Sequence, residues 1–173
     1  MIVDILRIDD FGRGITYVND KICFVENALP KEKVLIEIQN EKKKYLEAKV
    51  IKVLEKSIKR IENKCPYYLE CGGCCLRHLD YSNENSFKEN KIKNLNKKFL
   101  KNKEVKIKNI SFLDEQFYRN KIILHGKGLK LGLYKNESKD IVEIEDCLLV
   151  NDKINEIIKI LKKINCGITK AVI

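Results

Sequence analysis

The chain has 173 residues, 44% of them hydrophobic and 35% charged, enough apolar residues for one ordinary domain or two small ones and too many for wholesale disorder. Lysine and arginine number 35 against 25 acidic residues, a formal charge of +10, and apolar runs such as Ile22 to Val25 are far too short to cross a bilayer. A membrane-spanning protein is excluded, and because Met1-Ile-Val-Asp leads straight into a patterned, charged segment unlike a signal peptide, a cytoplasmic location is expected.

In chain order, the first fifty residues alternate apolar and polar at period two. Ile2–Ile8, Gly14–Val18, Lys21–Val25, Lys33–Gln39 and Tyr45–Val53 read as short strands, with a turn at Asn19-Asp20 between the second and third. Five such strands predict a small closed barrel of the OB type. Between the first two lies Phe11-Gly-Arg-Gly, a turn presenting an aromatic ring and a guanidinium. Phe11 and Arg13 are therefore candidates for stacking on bases and contacting phosphate, against the plainer alternative of a solvated hairpin turn.

Next comes Cys65-x5-Cys71-x2-Cys74, three thiols within ten residues. Seven cysteines without an export signal point to metal or redox chemistry rather than disulfides, while the isolated Cys23 and Cys166 read as ordinary buried thiols. Gly72 and Gly73 allow tight curvature and leave amides free to approach sulfur, which suits an iron–sulfur cluster. Such a cubane needs a fourth ligand, and Cys75, Cys147 and His78 are the candidates. Zinc sites usually pair two tight knuckles, and only one CxxC is present here. Spacing alone leaves cluster, zinc, and structural or redox thiols open.

Tyr81 to Leu100 shows helical spacing, with Phe87, Ile92, Leu95 and Phe99 on one side and Ser82, Asn83 or Asn85 as possible caps. Residues 88–108 carry nine lysines against Glu89 and Glu104, a stretch that suits a polyanion or a solvated face equally well. Strands are expected at Val105–Ile110, Lys121–His125, Leu129–Tyr134 and Asp140–Ile144. A helix opening at Asn151 or Asp152 follows, with Ile154, Ile157, Ile158 and Leu161 on one face, and a last strand begins near Gly167. The expected fold class is mixed β/α: an OB-like barrel over residues 1–56, a cysteine loop over 57–80, and a helix with part of an α+β domain over 81–173.

Several segments together resemble a known family. Cys65-Pro66-x4-Cys71-Gly72-Gly73-Cys74-x3-His78-Leu79 resembles the [4Fe–4S] loop of the SAM-dependent RNA uracil-C5 methyltransferases, nearest the RumA/RlmD-like branch acting on 23S ribosomal RNA. Residues 2–54 resemble that family's RNA-binding TRAM barrel, and Phe117-Tyr-Arg-Asn-Lys121 and Asp140-Ile-Val-Glu-Ile-Glu-Asp-Cys147 match further family segments. The resemblance implies a [4Fe–4S] cluster on Cys65, Cys71, Cys74 and Cys147, with RNA contacts from Phe11, Arg13, Arg119 and Lys121. It also implies a monomer with ribosomal RNA favoured over transfer RNA as partner. The chain departs from the family at Leu148, where proline is frequent, and at the additional Cys75. Its only prolines are Pro30 and Pro66, so the family's Asp-Pro-Pro-Arg-type motif is absent. The expectation is an N-terminal portion ending before the domain that binds S-adenosylmethionine, with no catalytic residue of its own. The alternative is a stand-alone TRAM-type RNA-binding module stapled by an iron–sulfur cluster or zinc.

Overall fold

The computed structural model describes residues 1–100, 115–164 and 167–173, so the strand expected at Val105–Ile110 and the expected burial of Cys166 lie outside the described residues. Two compact units divide the chain. One comprises Met1–Glu62 with Cys75–Lys108, the other Asn63–Cys74 with Asn109–Ile173.

The first unit contains β1 (Ile2–Asp4), β2 (Arg7–Ile8), β3 (Gly14–Val18), β4 (Lys21–Glu26), β5 (Lys33–Glu41), β6 (Tyr45–Glu55) and α1 (Tyr81–Phe99). The sheet order is β1-β5-β6-β4-β3-β2. The single first strand expected from the sequence is split in two, and that split closes the sheet. β1 pairs with β5 and β2 with β3, while the connecting Ile5 and Leu6 donate their N–H groups to Glu32 O and Ile15 O. One bent strand thus serves both edges, leaving the barrel no long open edge. Register requires a two-residue turn from Val18 to Lys21, and Asn19 and Asp20 both sit at positive φ (49° and 60°), the geometry of a tight type I′ hairpin. Alternate residues point inward, so Cys23, Val25, Val34, Ile36, Leu46 and Ala48 form the core with Ile5 and Ala28.

Glu32 lies fully buried beneath the barrel. Its carboxylate accepts the N–H groups of Leu29 (2.8 Å) and Ser57 (3.3 Å) and the Arg60 guanidinium (Nη2, 2.8 Å), which also donates to Asn27 O (2.6 Å). Burial pushes the Glu32 pKa up, but the hydrogen bonds and charge of Arg60 and the two backbone donors together hold it below the usual carboxylate range.

His78, 2% exposed, has its pKa pushed down to about 4, chiefly by burial and then by the Arg60 charge. The folded value lies below the ordinary His value near ~6.5, so the unfolded chain binds the extra proton first. Stability is then complete above about pH 6.5 and is lost as pH falls towards 4, by up to about 3 kcal/mol. Melting temperatures measured from pH 7 to 4.5 should fall, and His78→Gln should flatten the slope between pH 6.5 and 5. An unchanged slope in that variant would refute the assignment.

α1 is capped by Asp80 rather than by Ser82, Asn83 or Asn85. The Asp80 carboxylate accepts the Asn83 N–H (3.0 Å), and Ser82 donates its hydroxyl to Asp80 (2.7 Å) instead of capping. A carboxylate accepts more strongly than a hydroxyl and complements the positive helix end, so it takes the cap. Of the expected apolar side only Phe87 packs inward, against Leu29, Leu76 and Leu79; Leu95 and Phe99 remain 42% and 67% exposed.

The second unit contains β7 (Ile123–Lys127), β8 (Lys130–Tyr134), β9 (Ile141–Glu143), α2 (Asp152–Lys163) and β10 (Lys170–Val172), with antiparallel order β10-β7-β8-β9. Ile122, Leu124, Leu131, Val142, Ile144, Val150, Ile154 and Ile158 form its core. Gly132 admits no side chain: a Cβ there would stand 2.0 Å from Val142 O. Asn151 caps α2, accepting the Ile154 N–H at 3.0 Å. The expected apolar face is rotated, since Asn155 is buried and Ile157 is 40% exposed. No helix among the described residues is long and apolar enough to cross a membrane.

Candidate cysteine centre and nucleic-acid surface

Cys65, Cys71, Cys74 and Cys147 all fall in the second unit, each partly buried. The loop turns back on itself through Cys71 N–H to Tyr67 O (2.8 Å). It is then pinned to the end of β8 by Gly72 N–H to Tyr134 O (3.0 Å) and by Asn136 N–H to Glu70 O (3.0 Å). Gly72 fits that seat closely, since a Cβ would stand 3.2 Å from Asn136 Cα and the neighbouring backbone would have to yield a few tenths of an ångström. Tyr67 ties the loop to the Cys147 segment, its hydroxyl accepting the Glu145 N–H at 2.9 Å.

Cys147 is held by Asn155. The Cys147 N–H donates to Asn155 Oδ1 (2.9 Å), and Asn155 Nδ2 donates to Cys147 O (3.3 Å). A single buried amide therefore clamps both backbone groups of this cysteine. Burial raises the Cys71 pKa most, Gly73 N–H (3.4 Å from its Sγ) lowers it, and the neighbouring Cys147 and Cys65 thiols raise it further. Cys71 and Cys147 both pack against the core of the second unit. Beside Cys65, the Asn63 Oδ1 accepts the Cys65 N–H (2.9 Å), while Asn63 Nδ2 is buried without an acceptor among the described residues. Among the described residues, no three His, Cys, Asp or Glu side chains are grouped as a single metal ion would need them. Cys75 and His78, the other candidate fourth ligands, belong to the first unit.

In the first unit, Asp9 organises the turn before β3. Its Oδ1 accepts the N–H groups of Phe11 (2.9 Å) and Arg13 (2.8 Å), and its Oδ2 accepts Arg13 Nε (2.8 Å). Gly12 completes this turn at φ 86°, where a side chain would be strained. The Arg13 guanidinium lies 4.3 Å from the Phe24 ring centre, and Phe11 is 72% exposed. Lys91 of α1 joins the surface, donating to Asp10 O (2.7 Å) with its ammonium 5.6 Å from the Phe11 ring. In the second unit, Arg119 and Lys121 are exposed, and Arg119 stands 5.9 Å from the ring of Tyr118, itself 56% exposed. The structure brings Phe11 and Arg13 together in one unit and Arg119 and Lys121 in the other. Sequence reasoning missed Lys91, Tyr118, Asn63 and Asn155. Of these, Lys91 lies in the basic 88–108 stretch and Tyr118 in the Phe117–Lys121 segment, whereas Asn63 and Asn155 carried no signal.

Residues 1–51 match the TRAM domain family, so the barrel is a TRAM domain. The chain is 34% identical over 178 aligned positions to the 23S rRNA (uracil(1939)-C(5))-methyltransferase RlmD of Photobacterium profundum, a match covering 91% of this chain and 38% of that protein. It is 36% identical to an uncharacterized RNA methyltransferase of Clostridium acetobutylicum, covering 91% of this chain and 36% of the relative. The fold is shared with the Pyrococcus abyssi tRNA (uracil-54, C5)-methyltransferase crystallised with S-adenosyl-L-homocysteine. The TM-score is 0.71 at 23% identity, over 99% of this chain and 42% of that one. Over about nine tenths of its length the chain is thus a homologue of TRAM-containing RNA (uracil-C5)-methyltransferases of the RlmD kind, and it spans less than two fifths of these sequence relatives.

Proposed function

We propose that the chain is the RNA-holding N-terminal part of a SAM-dependent RNA uracil-C5 methyltransferase, stapled by a [4Fe–4S] cluster on Cys65, Cys71, Cys74 and Cys147, with ribosomal RNA as substrate. The observation that carries the cluster is that Cys71 and Cys147, remote from each other in the sequence, pack against the same core of the second unit. The donor set fits. A sulfide or thiolate would give the buried Asn63 Nδ2, two residues before Cys65, the acceptor it lacks, and Gly73 N–H already donates to Cys71 Sγ. A cubane spreads its thiolates over four irons, a wider cage than the shell of one zinc ion.

When bound, the cluster would supply a cross-link between the 65–74 loop and Cys147. The chain's own residues hold that link in register: Tyr67 and Asn155 fix the Cys147 segment, and Gly72 seats the loop on β8. RNA is expected on Phe11 and Arg13, backed by Lys91, and on Arg119 and Lys121. The target uridine has to leave its stack for chemistry at C5, so a looped or single-stranded target suits this surface. Methyl transfer itself, and S-adenosylmethionine, are assigned to sequence outside this chain.

Protein purified without oxygen should contain about four irons and four sulfides per chain, with a broad absorption band near ~400 nm. Cys147→Ser should lose most of that iron. A colourless preparation holding one zinc, or no metal, would remove the cluster from the assignment.

A further inference from the structure

The first unit contains a groove of about 230 Å³ between the barrel and α1 that no role above uses. It is smaller than the roughly 300–1,000 Å³ pockets of drug-sized ligands, which suits a single planar ring system. Its floor is apolar: Ile8, Leu29, Leu79 and Phe87. Its wall is one face of α1, where Asn83, Asn90 and Asn94 flank Phe87 at helical spacing. Asn83 is already committed to Asp80 (Nδ2 to Oδ2, 2.7 Å), whereas the side-chain amides of Asn90 and Asn94 make no hydrogen bond among the described residues. Lys59 and Lys91 stand on the rim against a single acidic neighbour, Asp10.

We infer that this groove holds one unstacked base of a single-stranded RNA, a reading that rests on the RNA-binding function proposed above. A base presents an apolar face and an edge of alternating donors and acceptors. The floor here meets such a face, and a carboxamide supplies one donor and one acceptor to such an edge. Charge favours a polyanion: Lys59 and Lys91 are placed for the phosphates on either side of the base. Continuity is provided by Lys91, which lines the groove and also lies over the exposed ring of Phe11. The groove and the Phe11 turn thereby form one track, with one base stacked on Phe11 and a neighbour seated against Phe87.

The test uses the full chain with fluorescein-labelled ten-residue single-stranded RNAs, oligouridine and oligoadenosine, and with the same oligomers carrying one central abasic residue. The double variant Asn90→Ala/Asn94→Ala should bind about tenfold more weakly than wild type. Its salt dependence should be unchanged, because no charge is removed. Alanine at these exposed helix positions is a better helix former, and a melting temperature no lower than that of wild type verifies the fold. Lys59→Ala should instead shallow the slope of log Kd against log salt by about 0.7. Wild type should bind the abasic oligomer less tightly, and the double variant should lose that preference. Wild-type affinity in the double variant, alongside weakened binding by Phe11→Ala, would overturn this inference while leaving RNA binding intact. No binding of any oligomer by wild type at low salt would overturn both.

Discussion

Replacing Arg60 with methionine should destabilise the barrel unit by about 3–5 kcal/mol at neutral pH, the usual cost of removing one partner from a buried ion pair. Glu32 would stay in place, fully buried, with only the Leu29 and Ser57 N–H groups to hold its charge. The pH dependence identifies the cause. In the native protein the folded pKa of Glu32 is depressed, so its contribution is present above the unfolded value near ~4.3 and is lost as pH falls through the folded one. Without Arg60, its hydrogen bonds and charge no longer oppose burial, so the folded pKa should rise. The variant's deficit should therefore be largest at neutral pH and shrink on acidification, as Glu32 takes up a proton. Adding Glu32→Gln to Arg60→Met should recover part of the loss, since no buried charge remains. Chemical denaturation of the three proteins at pH 7 and pH 5 measures this. A deficit below 1 kcal/mol, equal at both pH values, would mean that the pair contributes packing alone.

The second large effect is expected at Asn155. Asn155→Leu leaves the Cys147 N–H without its acceptor and Cys147 O without one donor, which should cost about 1–3 kcal/mol in metal-free protein. Its effect on the proposed cluster should be larger in kind. With Cys147 no longer clamped, the fourth thiolate is displaced from its register, and second-shell losses typically weaken metal retention 10–100-fold. Iron content after exposure to a chelator, followed over hours, should fall much faster in Asn155→Leu than in wild type. Ile157→Ala, also on α2 but 40% exposed, serves as the control and should leave the rate unchanged. Equal iron loss from Asn155→Leu and wild type would show that Asn155 supports only the fold.

Both sites turn on buried polar groups, and here the sequence was least legible. Strand positions in the barrel followed from two-residue alternation, since one face of each strand must be apolar, and Asn19-Asp20 announced its hairpin through residues that tolerate positive φ. The Asn151 cap was readable for the same local reason. The spacing of Cys65, Cys71 and Cys74 pointed to the proposed centre because neighbours in a loop are neighbours in space. Asn155 gave no such signal, sitting inside an isoleucine-rich helical pattern whose apolar positions placed the buried face elsewhere. Asp80 escaped as a cap because Ser82, Asn83 and Asn85, all capping residue types, follow within five residues, and the carboxylate's advantage over them is small.

By itself the sequence determined the barrel strands, the cysteine loop, the basic helix and the family likeness, because these depend on periodicity, spacing and residue type along a few consecutive positions. Tertiary structure alone decided that the first strand bends to close the sheet, that Glu32 and Arg60 meet across 28 residues, that Asn155 grips Cys147, and that α1 walls a groove with Asn90 and Asn94. Each of these depends on how separate elements pack, and no local preference encodes it: for the buried polar pairs the fold must first bury both partners, and the cost of leaving either unpaired then holds them together.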